Sequence, residues 1–258
     1  ENGRVLLSGD ANMLARANIC SRFAERILIN VGEFSAVTFT ELFDGVKALP
    51  WENYIGKDDA FPVNGWSINS QLFSIPDCQS IVKKAIVERM KSVYSQDWFE
   101  ETGALHKIQF LIIKDKVSVM IDTSGDGLHK RGYRENANAA PIRETLAAAI
   151  AAISRPREDV LFWDPMCGSG TIAIEAAMMM KNIAPGKNRH FAAEAFPFIG
   201  KEIWQDAREE AIEGEIENDF RAYASDIDPA CVALAETNAR AAGVSDVIKV
   251  FHMDARKI

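Results

Sequence analysis

Eight residues, Asp164-Pro165-Met166-Cys167-Gly168-Ser169-Gly170-Thr171, constrain this chain more than any other stretch. Four apolar residues precede them, Val160, Leu161, Phe162 and Trp163, with no polar alternation, which is how a strand buried on both faces reads. The run from Ile172 to Lys181 follows and is rich in good helix formers. The order is therefore strand, glycine turn, helix. Gly168 and Gly170 let the backbone turn tightly and come close to a ligand, at which the helix points its unpaired N–H groups and positive end.

A dinucleotide is one ligand for such a turn, and Gly168, Gly170 and Ala173 fit the loose G-x-G-x-x-A pattern. That reading expects an acid about 20 residues on, at the end of the second strand. The next strand ending in an acid is Ala222 to Ser225 with Asp226, far downstream, which disfavours a nucleotide-dependent oxidoreductase. After it, Asp228 suits a helix cap, with Pro229 at the first helical position and Gly243 as the C-terminal stop. A third strand, Val247 to His252, ends at Met253 and Asp254. Three strand-end acids, Asp164, Asp226 and Asp254, fit the rule that open α/β sheets bind ligands at the carboxyl ends of their strands. Strand-end acids also cap helices, but a carboxylate at the second strand suits a ribose, because it accepts from both hydroxyls at once.

Length and composition narrow the class. The 258 residues are enough for two domains, and 48% hydrophobic with 26% charged residues is ordinary for a soluble globular protein. No run of about 20 apolar residues exists to span a membrane, and no signal-peptide pattern is present. Cys20, Cys78, Cys167 and Cys231 form no C-x-x-C pair and sit apart from the histidines, which argues against zinc and against a disulfide framework and suits a reducing cytoplasm. Net charge is −8, but Glu202 to Asp219 holds eight acids against Arg208 alone, so the remainder is close to neutral. The overall charge therefore leaves nucleic acid open as a partner. The chain reads as incomplete, starting at Glu1 on an expected strand, Arg4 to Leu7, and stopping just after another.

Residues 1–50 read strand, helix, strand, helix, with helices over Ala11–Phe23 and from a Thr40 cap to Leu49, and a strand over Arg26–Val31. Trp66 to Ser70 alternates as a strand, and a helix starts near Ser74 with Asp77 as its cap. Val82, Ile86, Met90 and Val93 share one face of that helix, and Lys83, Lys84, Arg89 and Lys91 lie elsewhere, on a face that is solvated or meets a polyanion. Leu105–Ile113 and Lys116–Ile121 form a hairpin through Lys114 and Asp115. Asp122 to Gly127 starts like a calcium loop, but its twelfth position is Tyr133 where glutamate is required, so it is read as a turn. A second basic cluster, Lys130, Arg131 and Arg134, surrounds Tyr133. Ala140 and Pro141 open a helix with an apolar stripe of Ile142, Leu146, Ala149, Ile150 and Ile153. The acidic insert Pro185–Asp219 reads as solvated surface with one helix near Ile203.

Asp164 to Thr171 resembles motif I of the S-adenosyl-L-methionine (AdoMet)-dependent methyltransferases that act on base amines. Ser70 to Ala85 resembles a THUMP domain, and residues 1–50 resemble part of the ferredoxin-like piece that precedes it. Leu128–Arg134 together with Ala140–Ala149 resembles the element before motif I in the THUMP-containing ribosomal RNA guanine-N2 methyltransferases. The resemblance covers nearly the whole chain. It implies an α+β RNA-binding region, a ferredoxin-like remnant plus THUMP, over residues 1–124, a linker over 125–139, and an α/β Rossmann-like methyltransferase domain over 140–258. It implies AdoMet as cofactor, held by Asp164, Pro165, Cys167, Gly168, Gly170, Thr171, Asp226, Ile227 and Asp254, with Asp226 at the ribose, Asp254 at the adenine amine and Asp164 near the methionine end. It also implies RNA contacts by Lys83, Lys84, Lys130, Arg131 and Arg134, with no metal and no membrane partner. The family's Asn/Asp-Pro-Pro-Tyr-like motif does not occur in these residues, so no catalytic residue is assigned. The expected activity is guanine-N2 methylation of large-subunit ribosomal RNA. The alternatives are a transfer-RNA or adenine-N6 enzyme, or a non-catalytic RNA-binding protein with a degenerate methyltransferase fold.

Overall fold

The computed structural model describes residues 3–134 and 141–258; residues 135–139 of the expected linker and the expected helix start at Ala140 lie outside them. In chain order the elements are α1 (Ala11–Cys20), β1 (Leu28–Ser35), α2 (Phe39–Lys47), β2 (Val63–Ile68), α3 (Ile75–Tyr94), β3 (Ile108–Ile113) and β4 (Lys116–Asp122). There follow α4 (Glu144–Ser154), β5 (Phe162–Asp164), α5 (Thr171–Met180), α6 (Lys201–Glu213), β6 (Ala222–Asp226), α7 (Pro229–Ala241) and β7 (Ile248–His252). They assemble into two compact units, each stitched from separated stretches: residues 1–25, 127–190 and 202–258 form one, residues 26–126 and 191–201 the other.

The second of these holds a four-stranded sheet of order β1-β4-β3-β2, in which β2 runs parallel to β3 and the other pairs are antiparallel. The hairpin between β3 and β4 turns on Lys114 and Asp115, both at positive φ, as a two-residue connection between right-twisted strands requires. Alternation along β3 buries Ile108, Phe110 and Ile112, and α3 buries Val82, Ala85, Ile86 and Met90. The cap of α2 is Thr38 rather than Thr40. Its hydroxyl accepts from the Glu41 N–H while Glu41 reaches back to the Thr38 N–H, a reciprocal capping box. Residues of the acidic insert also enter this unit. Phe196 is fully buried and stacks on His106 with ring centroids 4.2 Å apart, and Phe198 packs edge-on to Tyr54. His106 Nε2 lies 3.0 Å from the Asp59 carboxylate, so Nε2 carries the proton and buried Nδ1 is left without a partner.

The other unit holds the parallel sheet β5-β6-β7. α5 and α7 cover one face, burying Ala173, Ile174, Ala177, Ala235 and Ala239 against Ala222, Ala224 and Ile248. α4 packs on α5 through Ala147, Ala148 and Ala151, not through the expected stripe: Leu146, Ile150 and Ile153 are exposed. Small residues at this contact let the helix backbones come close, and the larger side chains are turned outward. α4 also starts at Glu144 rather than at Pro141: Arg143 is its cap residue in an extended conformation, and the Ile142 carbonyl just before it accepts from Arg134. The insert is only partly the solvated surface expected, since α6 buries Trp204, Ala207 and Ala211. Arg4 to Leu7 is not a strand: no described strand pairs with it, and Val5, Leu6 and Leu7 are exposed.

Two substitutions grade this picture. Phe196→Ala should cost the four-stranded unit about 3–5 kcal/mol as a fully buried ring is lost, and Thr38→Ala about 1 kcal/mol, read as loss of amide-exchange protection in β3. Burial holds His106 below the ordinary histidine range despite Asp59 beside it. The folded state therefore binds fewer protons than the unfolded one, and exchange protection should fall as pH drops below about 6.5.

Candidate cofactor site

The site is built where β5 and β6 end side by side. β5 terminates at Asp164, whose Oδ1 accepts the Met166 N–H at 3.3 Å and folds the chain into the turn. Cys167 N–H then bonds the Ser225 carbonyl of β6 at 3.0 Å, and Gly170 N–H returns to the Cys167 carbonyl at 2.7 Å. Gly168 and Gly170 both have positive φ, +53° and +81°. They serve different ends. A Cβ on Gly170 would lie 3.0 Å from the Ala235 Cβ of α7, so that glycine allows α5 and α7 to approach. A Cβ on Gly168 would meet nothing within 4 Å, so that glycine borders open space.

Asp226 closes the arrangement from the neighbouring strand. Its Oδ2 accepts the Gly168 N–H at 2.9 Å and its Oδ1 the Asp228 N–H at 3.0 Å. Each oxygen keeps a second lone pair for a ligand donor. The Asp226 carbonyl also accepts the Met253 N–H at 2.9 Å, tying the tip of β7 to that of β6. Asp254 beyond β7 is engaged by Arg256, which approaches its two oxygens at 3.0 and 2.7 Å and holds its carboxyl below the usual range. Ile227 is exposed at 58% beside Asp226. Pro165 lies in the turn, partly buried.

Burial, with the nearby Asp226 charge adding, raises the Asp164 carboxyl above the carboxylate range. The Cys167 thiol is pushed up to about 12, first by burial and then by the charges of Asp164 and Asp226. Cys167 is thus a thiol at any ordinary pH, part of the turn's packing rather than a nucleophile. Thr171 opens α5, 2% exposed, with its hydroxyl 3.0 Å from that of Ser169. One contributor was missed from sequence: Asn238 of α7, 2% exposed, donates to the Ser169 carbonyl at 2.9 Å and pins the turn from beneath. The available signal was an amide on the inward face that α7 otherwise fills with Ala235 and Ala239.

The five basic residues expected to meet RNA differ in exposure. Lys84 and Lys130 are exposed. Lys83 sits 3.5 Å over the Phe61 ring and bonds Glu101 at 2.5 Å. Arg131 contradicts the expectation: it is 4% exposed and donates to the carbonyls of Leu128 and Arg22 at 2.6 and 2.5 Å. Arg134 is likewise turned inward, to the Ile142 carbonyl, the Thr171 hydroxyl and Glu144. Both guanidiniums serve the interior, so neither offers its charge to a phosphate backbone. Among the described residues no group of three His, Cys, Asp or Glu side chains is arranged to hold a metal, and no helix is long and apolar enough to cross a membrane.

Three family models match the chain: an RMKL-like methyltransferase domain over residues 131–258, a THUMP domain over 36–122, and an RlmL ferredoxin-like domain over 1–28. The Bacillus subtilis (strain 168) protein named "Putative RNA methyltransferase YpsC" is 48% identical across 99% of this chain and 67% of its own length. "Ribosomal RNA large subunit methyltransferase K/L" of Psychromonas ingrahamii is 35% identical across the whole chain and 35% of its own length. The crystal structure of "SMU.472, a putative methyltransferase complexed with SAH" superposes with a TM-score of 0.92 at 44% identity, covering 100% of this chain and 69% of that one. The chain thus spans from about a third to about two thirds of the relatives it matches.

The protonated state of Cys167 is checked by alkylation. Iodoacetamide at pH 8 should leave Cys167 unmodified in the folded protein and modify all four cysteines in urea, as mapped by mass spectrometry.

Proposed function

This chain belongs to the family of RMKL-like methyltransferases that carry a THUMP domain, and we propose that its strand-end site binds AdoMet for methyl transfer to RNA. The observation that carries the reading is the bond from the Gly168 N–H to the Asp226 carboxylate. It sets an oriented acid against a glycine whose side-chain direction is open space, the fit a ribose needs. In this reading Asp226 accepts the ribose hydroxyls. Asp254 takes the adenine amine, sharing its carboxylate with Arg256, and Asp164 lies at the amino-acid end. Pro165, Cys167, Gly168, Gly170 and Thr171 shape the turn, and Ile227 offers an exposed apolar surface beside the adenosine.

AdoMet supplies an electrophilic methyl group on a sulfonium. Transfer of such a group depends on holding donor and acceptor in line, so the task of these residues is position rather than proton transfer. The RNA is proposed to be ribosomal, in line with the name of the Psychromonas relative, and guanine N2 is proposed as the accepting amine from the resemblance of the residues preceding the glycine turn. The four-stranded unit is the proposed RNA-binding part, matching the THUMP model, and a base inside a duplex would have to be extruded to react.

Calorimetry with S-adenosylhomocysteine tests the cofactor assignment. Asp226→Asn keeps an acceptor for the Gly168 N–H but loses the charge, and should weaken binding on the order of tenfold; unchanged affinity would remove Asp226 from the ribose. RNA affinity should fall steeply with salt, and Lys84→Glu with Lys130→Glu should flatten the slope of log affinity against log salt by roughly one per lysine. Mass spectrometry of ribosomal RNA from cells lacking the protein should show one N2-methylguanine missing from the large subunit; a complete set would reject the proposed target.

A further inference from the structure

Arg134, expected from its sequence neighbours to face RNA, lies instead at the first residue of the glycine-turn helix. Its Nη1 donates to the Ile142 carbonyl at 2.9 Å and to Thr171 Oγ1 at 3.1 Å, and Nη2 faces Glu144 Oε2 at 3.0 Å. The side chains of Arg134 and Glu144 are 10% and 4% exposed, so this pair is shielded from bulk water. A guanidinium has donors only. Thr171 Oγ1 must therefore be the acceptor from Arg134, and its own proton is directed elsewhere, to Ser169 Oγ at 3.0 Å or to a ligand on the turn. One cation thus fixes the polarity of a buried hydroxyl at the positive end of α5, and an anion there would meet the helix end, the hydroxyl proton and the guanidinium charge together.

We infer that Arg134 is a positioning residue for the cofactor's amino-acid carboxylate, acting through the Thr171 hydroxyl and through its own charge. The inference rests on the AdoMet reading above and deepens it. Asp226 reads the nucleoside end of the cofactor, and its two ligand-facing lone pairs can only accept. The opposite end carries a carboxylate, which needs donors, and the Arg134–Thr171 pair is the shielded donor system beside the turn. Glu144 competes for the same guanidinium: with Glu144 ionised and no ligand, Arg134 is neutralised from behind. Removing that competitor should therefore strengthen carboxylate binding, whereas removing Arg134 should weaken it.

The test compares S-adenosylhomocysteine with 5′-methylthioadenosine, which keeps the nucleoside and sulfur and lacks the amino-acid end. Kd values for both are measured on the full chain, with a thermal melt on the same samples. Arg134→Met should weaken S-adenosylhomocysteine on the order of tenfold relative to methylthioadenosine. Arg134→Lys, which restores charge without the fork, should recover part of that loss. Glu144→Gln should move the ratio the other way. Because each protein supplies its own ratio, general loosening of the fold, which raises both Kd values, does not imitate the effect, and Glu144→Gln decides the matter even if Arg134→Met fails to fold. Binding of both ligands with a wild-type ratio in Arg134→Lys and Glu144→Gln would overturn the role of Arg134 while leaving the cofactor site standing. Failure of the wild-type protein to bind S-adenosylhomocysteine would overturn both.

Discussion

The hydrogen bond from the Gly168 N–H to the Asp226 carboxylate is the constraint on which the rest of the three-stranded unit depends. It joins residues 58 positions apart, and it requires β5 and β6 to lie parallel and adjacent in a register that pairs Asp164 with Ala224 and carries β6 two residues further, to Asp226 beside the turn. Parallel neighbours need a crossover, and α5 supplies its return path across the sheet. The turn that starts the crossover must reverse within a few residues, hence two left-handed glycines, and α7 must come close enough to pin that turn, hence Ala235 against Gly170 and the Asn238 amide beneath Ser169. Local turn geometry, sheet order and helix packing are thus different consequences of one requirement: a carboxylate held against an open backbone.

A second requirement runs along the underside of α5. Beyond Thr171 at its start, the helix is apolar except for Glu175, which is fully buried. Tyr133 donates to it at 3.0 Å and Arg131 stands 3.5 Å away. Burial raises the Glu175 carboxyl above its ordinary range and the Tyr133 phenol well above its own. Arg22 caps the other end of the helix through the carbonyls of Met178 and Ile183, where a cation complements the helix dipole. Two arginines and a tyrosine from outside α5 therefore fix its rotation and its axial position. A purely apolar contact surface would tolerate sliding by part of a turn. A buried carboxylate that must find its donors does not, because an unpaired buried charge is far more costly than a displaced methyl group.

This explains which features were legible in the sequence. The glycine turn, the three strand-end acids, the β3–β4 hairpin and the core face of α3 each follow from a local rule, such as backbone freedom, strand polarity, turn length or helical periodicity, that does not depend on what lies opposite. The parts that were misread depend on a partner distant in the chain. A run of Lys130, Arg131 and Arg134 has the composition of a nucleic-acid patch, and only the fold shows its arginines turned inward, Arg131 to the carbonyls of Leu128 and Arg22 with Glu175 nearby and Arg134 to Ile142, Thr171 and Glu144. The stripe on α4 follows helical periodicity, yet the helix packs on α5 and buries Ala147, Ala148 and Ala151 while its larger apolar side chains stay exposed. Asn238 is an unremarked amide until the Ser169 carbonyl is found above it.

The insert between α5 and β6 shows the same logic at the level of charge. Its acids account for most of the net charge, which by composition alone would oppose an RNA partner. In the folded chain several are answered locally: Glu210 by Arg16, Glu215 by Lys187, Glu217 by Lys181. The Arg16–Glu210 pair is 58% and 56% exposed, so its contribution to stability is small, about 0–1 kcal/mol. Its larger consequence is electrostatic, because a neutralised pair adds little to the long-range field that a polyanion meets. The apolar residues of the same insert act differently, with Phe196 stacked on His106 in one unit and Trp204 buried in the other. The chain crosses between the two units at 190–191 and again at 201–202, so the segment that looks most expendable by composition is a structural part of both. Charge density read along a sequence measures solubility; which partner a face admits depends on the charges that remain after the interior and the local pairs have taken theirs.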